Sequence, residues 1–208
     1  MKNFKRVLVL SPHTDDGELG CGGAIAKFIR EGKEVFHIAF SDGRPVIDPA
    51  ILLPEFNQSN KILGVFSGNT VVEKFEIRNF EKDRQEILDK MINIQKNWNP
   101  DLVFLPSTKD LHQDHTTISR EGLRAFKLSS TILGYEDPWN NLMFETSCFI
   151  GLLEEDLQKK LQALGCYKSQ VDRYYFSEEF LRSLVIVRGT QIGIPYAEAF
   201  EVLRWVIK

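Results

Sequence analysis

A histidine and two adjacent aspartates follow a short apolar run near the start of the chain. The run VLVL leads into LSPHTDDGELGCGG, in which His13, Asp15 and Asp16 stand close together. Two carboxylates at the end of a buried strand repel each other, and burial is costly unless a positive charge lies between them. We therefore expect a divalent metal ion here, with one aspartate binding the metal and the other handling a proton.

A second polar motif, HQDH, follows another apolar run, DLVFLP, and contains His112, Asp114 and His115. Ligands of open parallel sheets bind at the carboxyl ends of the strands, so the two motifs are expected to lie together. His13, Asp16 and His115 then supply two imidazoles and one carboxylate, which are ligand types of a catalytic Zn²⁺ site with an open position for water. Fe²⁺, Co²⁺ and Mn²⁺ also use such ligands and stay alternatives.

The three remaining polar residues of the two motifs fit the parts of a hydrolase. Asp15 is a candidate general base, because a carboxylate beside an activated water can take its proton. His112 is a candidate oxyanion donor and acid for the leaving group. Asp114 is expected to hold His112 in one tautomer and to raise its pKa. Together they predict metal-assisted hydrolysis of an amide or ester.

The elements that must position these residues predict one α/β domain over residues 1–208. Apolar runs alternate with amphipathic segments, which predicts a Rossmann-like three-layer fold with a mostly parallel sheet and the active site at the C-terminal strand ends. Strands are predicted over 6–11, 34–40 and 101–106, and within 70–77, 131–136, 145–152 and the tail from 196. Helices are predicted over 18–31, 55–63, 81–97, 116–127, 153–167 and 177–193. The segment 41–54, with three prolines, is predicted to be an irregular loop.

The composition of the chain limits the classes of partner and the cellular compartments that we expect for the protein. The net charge is −3 and no basic cluster is present, which argues against nucleic acid. The N-terminal segment lacks the pattern of a signal peptide, and no apolar run is long enough to predict a transmembrane segment. Three scattered cysteines predict a reduced, cytoplasmic protein without a disulfide framework. The aromatic C-terminal third suggests a homo-oligomer, and His37, in the middle of a strand, is interpreted as a core residue.

The motifs SPHTDDGELGCGG and HQDH resemble those of the PIG-L/LmbE-like N-acetylglucosaminyl deacetylases. The resemblance covers the first 128 residues in order and spacing, and VRGTQIGIPYAEAF resembles the C-terminal segment of the family. It implies a zinc-dependent hydrolase that removes acetyl from the 2-acetamido group of a sugar, giving a free amine and acetate. It also implies the roles given above: three metal ligands, His13, Asp16 and His115; the base Asp15; and His112 oriented by Asp114.

Two departures from the family pattern concern the substrate. Many members have Glu directly after the Asp pair, where this chain has Gly17 followed by Glu18. Many also have a substrate-binding Arg in the region where this chain has Ile51, Leu52 and Leu53, and Arg44 is a candidate substitute. A nucleotide sugar, a lipid-linked sugar or an envelope glycan intermediate is therefore at least as suitable as a phosphoinositol-linked substrate.

The stretch LGYEDPWNN is a candidate wall of the sugar pocket, with Tyr135, Trp139 and Asn140 as substrate contacts. Trp139 is expected to stack on a sugar face and Asn140 to bind a hydroxyl. Three alternatives stay open: a deacylase of a non-sugar amide, a metal-binding protein without catalysis, and a nucleotide-binding module in which GCGG forms a phosphate loop. We favour close packing for the glycines.

Overall fold

The seven strands of the computed structural model, which describes residues 4–207, belong to one sheet. They are β1 (Arg6–Ser11), β2 (Glu34–Ala39), β3 (Thr70–Val72), β4 (Leu102–Pro106), β5 (Thr131–Tyr135), β6 (Cys148–Gly151) and β7 (Ala197–Arg204). The predicted domain spans residues 1–208, of which residues 1–3 and 208 lie outside the described residues.

The strand order is β3-β2-β1-β4-β5-β7-β6. The first five strands are parallel, and β7 is antiparallel to both β5 and β6. From β1 the chain builds outward through β2 and β3, then returns to the other side of β1 to form β4 and β5. The carboxyl ends of β1 and β4 therefore flank a topological switch point, where open sheets form a crevice for ligands. The predicted mostly parallel α/β sheet is confirmed.

Six helices cover the sheet: α1 (Asp16–Arg30), α2 (Pro49–Leu63), α3 (Arg84–Trp98), α4 (Gln113–Phe126), α5 (Glu154–Leu164) and α6 (Glu178–Thr190). The alternating side chains of β1 show why three layers form. Val7 and Val9 pack in one apolar cluster with α1, whereas Leu8 and Leu10 pack in another with α3 and α4. Between residues 4 and 207, no helix is long and apolar enough to cross a membrane.

Helix α2 begins six residues earlier than the sequence predicted. Asp48 caps it by accepting the Ala50 N–H at 2.9 Å, and Pro49 occupies the first turn, where a missing N–H costs little. Pro54 lies inside the helix. The predicted loop over 41–54 was therefore wrong in its second half, because the prolines were interpreted as breakers. The predicted end of this helix at residue 63 is confirmed, and Gly64 follows as its C-cap residue with a φ of 91°.

Helix α4 also begins earlier than predicted. His112 is its N-cap residue, and Asp114 and His115 lie in its first turn instead of a loop. This placement matters for the chemistry, because a helix holds side chains more rigidly than a loop does.

The glycines after the first motif allow close packing, as the sequence analysis favoured. A Cβ at Gly17 would lie 2.3 Å from Ser11 Oγ and 2.5 Å from His37 Nε2, so a larger residue here would clash. Glu18 instead is buried and accepts the hydroxyls of Ser59 and Tyr167, both at 2.7 Å. The first departure from the family pattern thus has a packing cause. His37 is a buried core residue, as predicted.

Gly20 provides a test of this packing. A Cβ there would lie 2.2 Å from the ring of Tyr135. We expect Gly20→Ala to lower the free energy of unfolding by about 1–3 kcal/mol, because the buried ring has no room to move. Urea denaturation of the variant measures this change. Gly22→Ala is the matched control in the same helix, since its nearest atom is the side-chain Cγ of Lys160 at 3.1 Å. Equal effects at the two positions would contradict the packing explanation.

Candidate metal-dependent active site

Two imidazoles converge on the carboxylate of Asp16. Asp16 Oδ2 lies 3.1 Å from His13 Nδ1 and 3.2 Å from His115 Nε2. The backbone N–H of His13 donates to the same oxygen at 2.8 Å, which fixes the loop after β1. Asp16 opens α1 and His115 lies in the first turn of α4, so the ends of β1 and β4 bring these atoms together. The three predicted ligands form one cluster that could hold a metal ion.

Each of these imidazoles presents its other nitrogen to a buried carboxylate. His13 Nε2 lies 3.0 Å from Asp114 Oδ2. His115 Nδ1 lies 2.8 Å from Asp110 Oδ2 and 3.3 Å from Asp137 Oδ2. Carboxylates in this position fix the orientation and tautomer of metal-binding histidines. The donor set therefore fits a divalent cation.

The electrostatics of the cluster favour positive charge at its centre. Burial alone would lower the pKa of His13, but Asp16 and Asp114 raise it to about 9. Burial also opposes a charged His115, yet Asp16 and Asp110 hold its pKa well above the usual range. Burial would raise the pKa of Asp16, but His115 and His13 hold it well below its usual range. A bound cation would satisfy the same carboxylates.

Asp15 lies beside the cluster with its carboxylate available for chemistry. It is the N-cap residue of α1, but within residues 4–207 its side chain accepts no capping hydrogen bond. It lines the adjoining cavity. Burial and the charge of Asp16 raise the pKa of Asp15 to about 6. A carboxyl group with this pKa is ionised at neutral pH and is still basic enough to accept a proton.

The ring of His112 is oriented by the backbone instead of the Asp114 carboxylate. His112 Nδ1 accepts the Asp114 N–H at 3.2 Å, so the neutral ring carries its proton on Nε2. The Asp114 carboxylate contacts His13 and accepts the Arg78 N–H at 2.7 Å. Burial, together with His115 and His13, lowers the pKa of His112. The prediction that the Asp114 carboxylate orients His112 is therefore wrong, because this carboxylate faces His13. The charge of Asp114 does raise the pKa of His112, as predicted, but burial and the other two histidines outweigh it.

A cavity of about 270 Å³ opens beside these residues. This volume is close to the lower end of small-molecule sites, roughly 300–1,000 Å³. Its polar lining residues include His13, Asp15, Asp16, His112, His115 and Asn140. Its apolar lining residues include Leu19, Val46, Ile47, Leu52 and Ile77. Leu52 lies in the segment for which the resemblance implied a substrate-binding arginine, and in this chain it contributes an apolar side chain to the cavity.

Two of the predicted substrate contacts are placed elsewhere. Tyr135 is fully buried, and its hydroxyl donates to the Leu10 carbonyl at 3.0 Å, because the end of β5 faces α1. The Arg44 guanidinium pairs with Asp42, with Nε at 2.8 Å from Oδ1, and Arg44 is not among the described lining residues. The prediction that Tyr135 contacts the substrate is therefore wrong, whereas contact between Arg44 and the substrate stays a prediction.

Trp139 and Asn140 do line the cavity. Trp139 stacks on Tyr175, with ring centroids 3.8 Å apart and planes 9° from parallel. Tyr175 also lines the cavity, so the two rings form one aromatic wall. Since Tyr175 covers one face of Trp139, only the other face or the edge is left for a ligand. Contact with a sugar stays a prediction for both Trp139 and Asn140.

Four candidate functional residues of this site were not predicted from the sequence. Asp137 stands two residues after the end of β5, and the rule that located Asp15 after β1 would have found it. Asp110 stands two residues before HQDH and has the same signal. Arg78 and Arg173 line the cavity from irregular segments, where no periodic pattern marks a residue for a site.

Comparison with known proteins agrees with this geometry. The family described as PIG-L, GlcNAc-PI de-N-acetylase, matches residues 8–126, which include both motifs and more than half of the chain. An uncharacterised deacetylase of Escherichia coli, YaiS, is 29% identical over 171 residues, covering 79% of this chain and 91% of that protein.

Two archaeal proteins are similar over nearly the whole chain. A diacetylchitobiose deacetylase of Thermococcus kodakarensis is 25% identical, covering 96% of this chain and 83% of the relative. The solved structure of an N,N'-diacetylchitobiose deacetylase from Pyrococcus horikoshii has a TM-score of 0.81 at 23% identity, covering 97% of this chain and 84% of that one. This last likeness establishes the fold.

Proposed function

We propose, since the chain belongs to the PIG-L family of de-N-acetylases, that it is a metal-dependent deacetylase of an N-acetylated amino sugar. Water would attack the acetamide carbonyl carbon, the C–N bond would break, and acetate and a free amine would leave. One observation carries the proposal: His13 Nδ1 and His115 Nε2 converge on Asp16 Oδ2, with Asp15 lining the same cavity. The names of the two archaeal relatives, both diacetylchitobiose deacetylases, support a sugar substrate.

His13, Asp16 and His115 would hold the metal, and Zn²⁺ is the ion we propose. A bound Zn²⁺ would act as a Lewis acid toward the amide carbonyl and would make water a nucleophile at neutral pH. Asp114 and Asp110 lie within hydrogen-bond distance of His13 and His115, where they would hold the two rings in position and make each ring a stronger metal ligand.

Two residues of this chain would handle protons and charge. Asp15 would accept a proton from the attacking water. His112 Nε2–H would donate a hydrogen bond to the developing oxyanion, because its Nδ1 is occupied by the Asp114 N–H. The lowered pKa of His112 keeps the ring neutral at pH 7. The proton held by Asp15 would therefore pass to the leaving amine.

The alternatives are weaker on this geometry. A nucleotide-binding loop needs exposed glycine backbone, but Gly17, Gly20 and Gly23 are buried against other side chains. A binding protein without catalysis has no need for Asp15 and His112 in the same cavity. A deacylase of a non-sugar amide would use the same catalytic residues, so substrate tests must separate it from the sugar deacetylase.

Acetate release tests the proposal. The metal-free protein and the Zn²⁺-loaded protein would each be incubated with N-acetylglucosamine, its UDP derivative and several N-acetyl glycosides. We expect release only with metal. If Zn²⁺ binds stoichiometrically and only non-sugar amides are cleaved, the sugar substrate is wrong. If Zn²⁺ does not bind, the ligand assignment fails as well.

Substitution of Asp114 tests whether its carboxylate supports the metal ligand His13 or acts on His112. We expect Asp114→Asn to weaken Zn²⁺ binding by about 10–100-fold, because the carboxylate behind His13 is lost. Competition with a chromophoric chelator measures the affinity. Asp89→Asn, on exposed α3, is the control for removal of one negative charge. An unchanged Zn²⁺ affinity with an altered pKa of His112 in an NMR titration would instead support the role predicted from the sequence.

A further inference from the structure

Helix α1 is broken shortly after it begins. Its backbone leaves helical geometry at Cys21, where φ is −146° and ψ is 25°, so the segment 16–20 is a short first part of the helix. In a regular α-helix the N–H of residue 23 would donate to the carbonyl of residue 19. At a buried break such groups need other partners, because an unpaired buried N–H or carbonyl is costly. The direction of the segment 16–20 therefore depends on the side chains that supply those partners.

One buried ion pair supplies partners at the break. Glu198, near the start of β7, accepts the Gly23 N–H at 2.9 Å and the Ala24 N–H at 2.7 Å. Lys160, on α5, donates from Nζ to the Leu19 carbonyl at 2.6 Å and to Glu198 Oε1 at 2.6 Å. The Lys160 side chain is 2% exposed and that of Glu198 is 4% exposed. The lysine therefore holds the part of α1 before the break, and the glutamate caps the part after it.

Gly23 allows the Glu198 carboxylate to reach the backbone of α1. A Cβ at position 23 would lie 2.4 Å from Leu152 Cδ1 and 3.1 Å from Glu198 Oε1. The close approach of these two side chains therefore requires a glycine. This gives part of the motif GCGG, residues 20–23, a role in shaping the helix.

The segment before the break carries the two aspartates of the proposed active site. Asp16 is the first residue of α1, and Asp15 is its N-cap residue. The Leu19 N–H donates to the Asp15 carbonyl at 3.0 Å, and the Leu19 carbonyl accepts Lys160 Nζ. Two hydrogen bonds therefore connect the ion pair to the backbone of Asp15. A change in the direction of this segment would move both aspartates relative to His115, which lies on α4.

Stability alone is a weak reason to keep this ion pair. Burying two charges is costly, and apolar residues of similar volume are often as stabilising or more so. We infer that Lys160 and Glu198 are positioning residues, which set the direction of the segment 16–20 so that its aspartates reach the metal site. The inference rests on the proposed function for its effect on metal binding and catalysis. Its effect on the conformation of the segment can be measured without metal.

Lys160→Met tests the inference by removing the cation from the break. We expect Zn²⁺ affinity to fall by about tenfold, as for loss of other groups that orient metal ligands. We expect kcat of the Zn²⁺-saturated variant to fall by about 10²-fold, because a shift of about 1 Å in a reacting group has an effect of this size. In the metal-free variant, hydrogen exchange at the Leu19 amide should be faster by about tenfold. Chelator competition, steady-state rates and NMR measure the three quantities.

Arg30→Met is the matched control. Arg30 Nη2 donates to Asp156 Oδ2 at 2.9 Å, so this ion pair also joins α1 to α5, but beyond the break. The control should leave Zn²⁺ affinity, kcat and exchange at the Leu19 amide unchanged. Equal values of all three quantities in Lys160→Met and Arg30→Met would overturn the inference.

The double variant Lys160→Met/Glu198→Leu separates positioning from stability. Removal of one partner leaves a buried charge unpaired, whereas the double variant removes both charges. We expect its free energy of unfolding, from urea denaturation, to be at least that of Lys160→Met, with Zn²⁺ affinity and kcat still reduced relative to the natural chain. Recovery of affinity and kcat together with stability would show that the pair only stabilises the fold. A double variant that does not fold would contradict the inference as well.

The two proposals fail in different ways. If the natural chain neither binds Zn²⁺ nor releases acetate, but exchange at the Leu19 amide is faster in Lys160→Met than in Arg30→Met, the proposed function falls and the positioning role stands. If the natural chain and Lys160→Met bind Zn²⁺ equally and release acetate at equal rates, the function stands and the positioning role falls.

Discussion

Asp15→Asn is expected to lower kcat for deacetylation by about 10²–10⁴ while Zn²⁺ stays bound. The amide has nearly the shape of the carboxylate but cannot accept the proton of the attacking water. Asp15 lies outside the cluster of three ligand atoms, so metal affinity should be little affected. Steady-state rates and metal content of the same preparation measure both parts of the prediction.

The matched control is Asp16→Asn, the neighbouring substitution of the same kind. Asp16 Oδ2 lies between the two histidines, so this variant should lose metal and activity together. If Asp15→Asn lost its metal, Asp15 would be a ligand instead of the base. If it kept both metal and near-normal kcat, another group would have to take the proton.

Stability offers an independent view of Asp15. Its folded-state pKa of about 6 is above the ordinary value of 3.8, so folding favours the protonated carboxyl. The stability associated with this proton is fully present below the unfolded pKa and is lost as pH rises through about 6. Metal-free Asp15→Asn should therefore be more stable than the natural chain at pH 8, on the order of 1–3 kcal/mol, and the difference should vanish near pH 3. Thermal unfolding of both proteins at the two pH values measures the sign of this stability difference.

The sequence was informative about the sheet because apolar runs and strand ends are local signals. VLVL and LVFLP are short, buried and followed by polar motifs, and the structure places both at the centre of the sheet. Helix starts were less predictable. Proline suggested a loop before residue 55, although Pro49 stands at the first position of α2, where proline is favoured.

The roles of the site residues were harder to predict, since they depend on which side chain faces which. Each of the three ligands, His13, Asp16 and His115, comes shortly after the end of a strand. It could therefore be predicted that they lie together at the carboxyl ends of the strands. The partner of the Asp114 carboxylate could not be predicted in this way, because it depends on the first turn of α4, which directs that side chain toward His13. The place of Arg173 was even harder to predict, because this residue comes from a loop late in the chain and only tertiary packing brings it near Asp15.

His112 is the second residue for which we expect a large loss. His112→Ala should lower kcat by about 10²–10³, the usual effect of removing one oxyanion donor. The substitution also removes the N-cap acceptor of α4, which by itself costs about 1 kcal/mol of stability. A reduced kcat in this variant alone would therefore not separate the loss of the oxyanion donor from the loss of the helix cap.

His112→Asn separates these two contributions. Asparagine is a good N-cap residue, so its side-chain oxygen can accept the Asp114 N–H in place of His112 Nδ1. The variant keeps the cap but loses the Nε2–H that faces the oxyanion. We expect the stability of His112→Asn, from thermal unfolding, to be close to that of the natural chain, and its kcat to be as low as that of His112→Ala. Recovery of most of the kcat with asparagine would show that His112 acts by positioning α4 and its ligand His115, with the oxyanion stabilised by other groups.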